Sequence, residues 1–303
     1  MKFALGLLMI DPAQFLDIAR AADESGWDTI YLPDAPFFPE VTSVPYPYTP
    51  DGKRFWPPDT PFLNPWVAFA AMAAVTKRIN FYPSVLRMAI RQPLLEANAI
   101  ASVSVLSNGR VGLGVGLAWM PEEFKYVNED MKNRGARVDE AIQIMRLVLG
   151  GGMVEFHGKY YDFDRLMISP QPKKPVPIYV GGETKPALRR AARYGDGWIG
   201  LSYFEDRIKE IVSTLNSYRQ EFGRDKERFE IVVHGLDPAA RRIFGDRAST
   251  DSLNVDDIRR LEDMGVTEFG LQPWNLYGGD PSRLDVKLDA IKRYGEEIIA
   301  KFR

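Results

Sequence analysis

Apolar residues in this chain come in short compact runs, separated by longer stretches in which they recur every three to four positions. Phe3 to Leu8 is the first run, and Asp11-Pro12 ends it. Phe15, Ile18, Ala19 and Ala22 then follow at helical spacing until Gly26. The pattern predicts a strand and then a helix, with Asp11 as N-cap, Pro12 at the first helical position and Gly26 at the stop. Thr29 to Leu32 is a second strand. The unit then recurs, with helices predicted over Trp66 to Val75, Leu94 to Leu106 and Val138 to Leu149, and strands over Ile79 to Leu86 and Val111 to Val115. A hairpin of Val154 to Phe156 and Tyr160 to Phe163, turning at His157, Gly158 and Lys159, interrupts it. Further strands follow at Ile178 to Val180, Trp198 to Leu201, Ile231 to His234 and Phe269 to Leu271. Helices are predicted after them at Ala187 to Arg193, Ile208 to Phe222, Val255 to Met264 and Leu284 to Phe302.

Eight strands, each followed by a helix, in 303 residues is modestly more chain than the roughly 250 residues of a typical (β/α)8 barrel. A doubly wound open sheet would alternate in the same way, but the count favours closure. The expected fold is therefore α/β, a (β/α)8 TIM barrel forming one domain over residues 1–303. It carries a long insertion after strand two and a small hairpin insertion before strand five. No composition break or linker divides it. The long insertion, from Pro33 to Trp66, holds ten of the 22 prolines and eight aromatics, among them Phe37, Phe38, Tyr46, Tyr48, Phe55, Trp56 and Phe62. Long structured loops are uncommon and tend to be functional. After strand two it would sit at the C-terminal mouth, where its rigid aromatic surface suits a flat apolar ligand, or serves as a packing flap.

Composition narrows the chemistry. The chain has no cysteine and two histidines, His157 and His234, which excludes disulfides, thiolate nucleophiles and Cys-ligated metals and leaves no metal site to expect. Lys and Arg number 39 against 41 Asp and Glu, a net charge of −2, without the basic excess of a nucleic-acid or anionic-membrane binder. Met1 to Ile10 has neither a cleavage site nor the ~20 apolar residues of a membrane span, so a cytoplasmic protein is expected.

Several short motifs bear on function, each with a plainer reading beside it. Gly112, Gly114 and Gly116 alternate at period two, which puts them on one face of a strand rather than in a dinucleotide fingerprint. They leave room for a ligand or simply fit a tight barrel interior. Gly181 and Gly182 end a strand where a helix begins at Thr184 or Lys185, a place for an anion such as phosphate, or only a turn capped by Thr184. Glu183 weighs slightly against phosphate. Asp34, at the end of strand two, is a candidate catalyst or a turn-initiating residue. Pro83, Ser84 and Val85 interrupt strand three and predict a bulge or a strained peptide. His157 reads as a surface turn residue, while His234, at the end of strand seven, is better placed for chemistry but has no obvious partner. Arg134, Arg137, Asp139 and Glu140 read as the charged start of a helix or as a salt-bridge cluster holding the preceding loop.

A wider set of residues then forms a pattern. Leu106 to Val111 (Leu-Ser-Asn-Gly-Arg-Val), Gly114, Gly116, Trp119, Glu123-Phe124, Arg134-Gly135, Arg137, Asp139-Glu140, Phe156, Gly158, Tyr160, Pro170, Pro172, Pro175, Pro177, Gly181-Gly182, Arg189 to Ala191 and Gly195 to Trp198 occur in an order and spacing that resembles the bacterial luciferase-like family. The pattern resembles in particular the branch that uses the deazaflavin coenzyme F420. It runs from strand one to beyond strand six; the last hundred residues match only in layout. The resemblance implies a barrel that binds a flavin or deazaflavin at its C-terminal mouth. Ser84-Val85 would form an often cis peptide behind the ring, Gly116, Leu117 and Ala118 would line the ring or ribityl chain, Gly181 to Thr184 would take the phosphate, and Asp34 would lie near the ring's polar edge.

Departures from the family pattern shape the expectation. Sugar-phosphate dehydrogenases of the family carry a histidine after the strand-two aspartate and a glutamate after the strand-four glycines, where this chain has Ala35 and Trp119. With few acids and bases to offer, the protein is expected to position a cofactor that does the chemistry. The leading expectation is an F420-dependent oxidoreductase transferring hydride to or from a small apolar or conjugated organic substrate, acting as a homodimer. The alternatives are an FMN-dependent monooxygenase of the same fold and a non-catalytic deazaflavin-binding protein.

Overall fold

The computed structural model describes residues 1–201, 205–235 and 254–303. In chain order its elements are β1 (Lys2–Gly6), α1 (Phe15–Glu24), β2 (Thr29–Leu32), α2 (Pro65–Ala74), β3 (Asn80–Pro83), β4 (Leu86–Arg87), α3 (Pro93–Leu106), β5 (Leu113–Gly116), α4 (Pro121–Tyr126) and α5 (Arg134–Leu149). The hairpin β6 (Val154–His157) and β7 (Asp162–Leu166) follows, then β8 (Ile178–Gly181), α6 (Lys185–Tyr194), β9 (Gly197–Leu201), α7 (Glu205–Glu221), β10 (Glu230–His234), α8 (Val255–Asp263), β11 (Glu268–Leu271) and α9 (Leu284–Glu297).

Among the described residues nine strands form one sheet in the order β3-β2-β1-β11-β10-β9-β8-β5-β4, and its ladders are parallel. The sheet closes where Phe81 of β3 bridges Val111, with its N–H donating to the Arg110 carbonyl at 2.8 Å and its carbonyl accepting from Gly112 N–H at 2.8 Å. β3 and β4 are two halves of one barrel strand. The expected continuous strand from Ile79 to Leu86 is broken at Ser84-Val85, whose peptide bond is cis. The result is the expected (β/α)8 barrel, with the hairpin lying outside it as a two-stranded antiparallel sheet.

Local signals account for the element ends. Asp11 Oδ1 accepts from Ala13 N–H at 2.9 Å, capping a 3-10 turn over Pro12–Gln14 that runs into α1. Gly26 stops α1 with φ at +85°, a conformation costly for any residue with a Cβ. Pro occupies the first turn of α2, α3, α4 and α6, where its missing N–H costs nothing. α5 begins at Arg134, one turn earlier than expected, so Asp139 and Glu140 lie past its positive end. Asp139 instead takes Arg190 Nε at 2.5 Å, and Glu140 accepts the N–H groups of Lys159 and Tyr160 at 2.8 and 2.9 Å, tying the hairpin to the helix. Arg137 holds the preceding loop through Glu129 and the Asn133 side chain.

The main core lies between strands and helices, where Phe3, Ile30, Phe69, Phe81, Trp198 and Phe269 are buried in one cluster. Each such side chain contributes about 1.5–3 kcal/mol by leaving water. A second cluster of Tyr82, Ile199 and Val232, with Tyr31, Val85 and Tyr179 against it, fills the barrel interior. Glycines on neighbouring strands make room for these rings: a Cβ on Gly197 would stand 2.8 Å from Tyr179, and one on Gly6 2.6 Å from Tyr31. Among the described residues, no helix is long and apolar enough to cross a membrane.

Candidate active site at the barrel mouth

Side chains that alternate inward along the strands build a polar column through the barrel. Ser84, just past β3, has its Oγ 3.2 Å from Nδ1 of His234, the last residue of β10. Nε2 of the same ring is 3.4 Å from the hydroxyl of Tyr82, which donates to Glu268 Oε1 at 2.6 Å. Thr29 Oγ1 donates to the other oxygen of Glu268 at 3.4 Å. Tyr82, His234 and Glu268 are all buried. Burial sets their protonation. It lowers His234 to about 3, which keeps the imidazole neutral, and raises Glu268 to about 7, partly opposed by the bond from Tyr82. Tyr82 is pushed well up by burial and by Glu268, so it stays a hydroxyl.

Above this column the mouth is apolar. Val85 is half-buried and wedged between β5 and β8: a Cβ on Gly116 would overlap its Cγ2, and one on Gly181 would stand 2.9 Å from its Cγ1. The period-two glycines of β5 therefore serve internal packing in the first place, with Gly114 lying against the Pro83 carbonyl in the same way. Leu117 and Ala118 continue from Gly116 half-buried, and Ala118 holds φ at 59°, a left-handed conformation uncommon for a residue other than glycine.

Gly181 leads through Gly182 into α6. Gly182 is exposed with φ at +105°, and its carbonyl accepts from Trp198 Nε1 at 2.6 Å, which fixes the turn. Thr184 stands at the N-cap of α6 but makes no side-chain capping bond, so the turn forms without the expected Thr184 cap. Glu183 lies 3.8 Å from Arg207 of α7, its charge countered there.

Asp34 is buried and both its oxygens are engaged. Oδ2 accepts from the N–H of Arg87 and Oδ1 from Arg91, each at 2.8 Å. Arg91 also pairs with Glu96 at 2.9 Å, and Glu96 accepts from Trp66 Nε1 at 2.7 Å. Burial works against the charge of Arg91, but its two carboxylates outweigh that and raise its pKa. Arg87 pairs with Glu123, whose own carboxyl is raised by burial against the pull of that arginine. Asp34 thus clamps the start of the long loop to β4 and α3. His157 lies 57% exposed and bonds Asp162 at 2.7 Å; it is on the surface as expected, but as the last residue of β6, paired across the hairpin with Asp162, and not in the turn.

The long loop packs on itself around Tyr46. Its ring lies edge-on to Tyr48, Trp56 and Trp119, with centroids 5.4, 5.1 and 5.3 Å away. Such pairs add about 0.5–1.5 kcal/mol beyond area. Ser43 N–H donates to Glu122 of α4 at 2.8 Å, and Arg54 lies 3.4 Å over the Phe38 ring.

Of the residues singled out from sequence, Ser84, Val85, Gly116 and Gly181 come into contact with one another or with a shared neighbour, and Leu117, Ala118, Gly182, Glu183 and Thr184 continue from them along the chain. His234 joins them from below through Ser84. Asp34 engages a separate set of partners. Sequence reasoning missed Tyr31, Tyr82, Glu268, Arg87 and Arg91. A signal existed: Thr29 and Tyr31, Tyr82 and Ser84, and Glu268 and Gly270 recur at period two in strands whose other positions are apolar. Surface clefts beside Met145, Pro172 and Ile178, and beside Gly26, Gly295 and Arg303, lie at the opposite end of the barrel.

Comparison with known proteins agrees with this architecture. The chain is 36% identical over 303 residues to an uncharacterized protein of Mycobacterium tuberculosis, covering 99% of this chain and 100% of the relative. It is 33% identical over 234 residues to an F420-dependent glucose-6-phosphate dehydrogenase of Gordonia bronchialis, covering 74% of this chain and 64% of that protein. Among solved structures, an F420-dependent secondary alcohol dehydrogenase in complex with an F420-acetone adduct superposes with a TM-score of 0.76 at 18% identity, over 99% of this chain and 98% of the other. The oxygenating constituent of 3,6-diketocamphane monooxygenase from Pseudomonas putida, in complex with FMN, does so with a TM-score of 0.70 at 17% identity, over 99% and 98%. At those identities the structures share the fold. The sequence profile of the luciferase-like monooxygenases matches residues 4–241, most of the length, and the chain belongs to that family.

Proposed function

We propose that this chain is an oxidoreductase that transfers a hydride between the deazaflavin F420 and a small, apolar or conjugated organic substrate. The observation that carries this reading is the continuity of the mouth. A half-buried apolar wedge, Val85, rests on Gly116 and Gly181, and Gly181 leads directly into the N-terminus of a ten-residue helix. A planar ring fits against Val85, Leu117 and Ala118, and a phosphate fits the helix start at Gly182, Glu183 and Thr184, where Arg207 offsets Glu183. When bound, F420 supplies the hydride-carrying ring. Ser84 offers a hydroxyl beside that ring's position, Asp34 holds the loop that walls the site, and the aromatic cluster around Tyr46 excludes water. The name of the Gordonia bronchialis relative supports F420. Ala35 and Trp119, at the positions where the family's sugar-phosphate dehydrogenases are expected to carry a histidine and a glutamate, support a substrate other than a sugar phosphate. In this reading residues 1–303 act as one domain in a cytoplasmic homodimer; Val67 and Leu95, 69% and 73% exposed on the paired helices α2 and α3, support a partner copy.

The test is equilibrium binding of F420 and of FMN to the wild-type chain and to Gly182→Val, followed by turnover of quinones and enones with each reduced cofactor. F420 is expected to bind and turn over, and Gly182→Val to weaken binding by tenfold or more, on the order of one hydrogen-bonded anion contact. Turnover confined to reduced FMN with oxygen would replace this reading by a monooxygenase, and binding without turnover by a carrier.

A further inference from the structure

We propose that Glu268, Tyr82, His234 and Ser84 form a proton relay that runs up the inside of the barrel and opens on its mouth at the Ser84 hydroxyl. The geometry is a single file of hydrogen-bonding groups drawn from β11, β3, β10 and the β3–β4 break. Its links are 2.6 Å from Tyr82 to Glu268, 3.4 Å from His234 to Tyr82 and 3.2 Å from Ser84 to His234. Its inner members are buried, whereas Ser84 is half-exposed. Each middle member both donates and accepts, so the file has two self-consistent directions.

With Glu268 ionised, every donor points inward: Ser84 O–H to Nδ1, Nε2–H to the Tyr82 oxygen, and Tyr82 O–H to the carboxylate. With Glu268 protonated, every donor points outward, and the Ser84 O–H is aimed at the mouth. The two are linked by a balanced transfer. The Glu268 proton passes to the Tyr82 oxygen as the Tyr82 proton passes to Nε2, the Nδ1 proton passes to Ser84 Oγ, and the Ser84 proton leaves to an acceptor in the mouth. Within the relay only Glu268 ends with a changed charge, balanced by the proton gained by the acceptor. His234 changes tautomer without becoming an imidazolium, in keeping with the burial that keeps it neutral. Resting on the reading of the mouth as a hydride-transfer site, the acceptor is the oxygen or carbon of a substrate that has just gained a hydride and needs a proton.

The groups facing Glu268 are consistent with its exchanging a proton near neutral pH. Lys2 of β1 favours its charged form, whereas Glu230 of β10, Asp28 before β2 and burial disfavour it. Tyr82 and Thr29 donate to it, and Tyr179 of β8 lies within its field. His234 faces Tyr31, Tyr82 and Ser84.

The experiment needs no cofactor. The chain has two histidines, and His157 is exposed, so the ring nitrogens of His234 are identifiable by nitrogen-15 NMR. On titration from about pH 5 to about pH 9, Nδ1 and Nε2 of His234 are expected to exchange their protonated and unprotonated shifts, with no imidazolium signal. Glu268→Gln and Tyr82→Phe are each expected to abolish the exchange, so that one suffices if the other fails to fold. One His234 tautomer throughout in the wild-type chain, a His234 imidazolium in that range, or an exchange that survives in either folded variant would overturn the relay. Failure of F420 to bind would overturn the proposed function and leave this result standing.

Discussion

The imidazole of His234 lies flat on the phenol ring of Tyr31, with 3.8 Å between ring centroids and 5° between planes. Two strands, β1 and β11, separate β10 from β2 in the sheet, and the rings meet across the barrel interior because both carry glycine there, Gly6 and Gly270. A Cβ on Gly270 of β11 would stand 2.6 Å from His234 Cδ2 and 2.8 Å from Tyr31 Cε1. The stack holds the imidazole plane so that both its nitrogens reach their partners.

Gly270→Ala should therefore separate the two rings. Overpacking of this kind costs about 1–3 kcal/mol, and chemical unfolding should show that loss in the variant. The same displacement should lengthen the His234 contacts to Ser84 and Tyr82, read as a change in the His234 ring shifts. Unchanged stability and unchanged shifts would mean that the backbone of β11 yields and the stack is incidental.

Glu268 and His234 should tilt the pH dependence of stability in opposite senses. Folding raises Glu268 from 4.5 to about 7, so the folded state holds a proton that the unfolded chain releases, and stability falls as pH rises across that window. Folding lowers His234 from 6.5 to about 3, so the unfolded chain gains a proton that the folded state refuses, and stability falls as pH drops across that window. Relative to the wild-type chain, Glu268→Gln should gain stability with rising pH by up to about 3 kcal/mol. His234→Gln should gain as pH falls. Denaturant midpoints at a series of pH values measure both, and curves parallel to the wild type would contradict the assignment.

Asp34 should behave as a clamp. Asn in its place keeps one good acceptor and turns an amide toward Arg91, leaving that buried guanidinium poorly matched. Asp34→Asn should cost about 2–4 kcal/mol, with Arg91→Met losing a similar amount. Activity, measured below the melting temperature of the variant, should fall only as far as the loop from Pro33 is disturbed. A normal melt with abolished turnover would instead put Asp34 in contact with the ligand.

The alternation of strands and helices along the chain was legible because each strand is a short apolar run and each helix has apolar residues at a 3.6 period, with Pro and Gly marking their ends. The interruption at Pro83, Ser84 and Val85 was legible for the same local reason. The mouth residues Gly116, Gly181 and Gly182 could be picked out from their position at strand ends and from the family resemblance. Thr184 shows where a local rule misleads: the residue type suits a cap, but its side chain makes no capping bond. Asp139 and Glu140 show another, since the helix begins a turn earlier and they bind partners on α6 and the hairpin.

By itself the sequence determined the alternation of strand and helix, the absence of thiols and the scarcity of histidine, because these depend on local spacing and on counting. The tertiary structure alone decided which strand residues face the interior and which of them meet. Parallel barrel strands are buried on both faces, so the period-two polar positions of β2, β3 and β11 sort onto one face without the pattern saying which face lies inside the barrel. The contacts of Tyr82 with His234 and Glu268 span 152 and 186 residues. No local pattern encodes such a distance; it is set by the closure of the sheet, which carries β3, β10 and β11 around one axis and turns a tyrosine, a histidine and a glutamate toward the same interior.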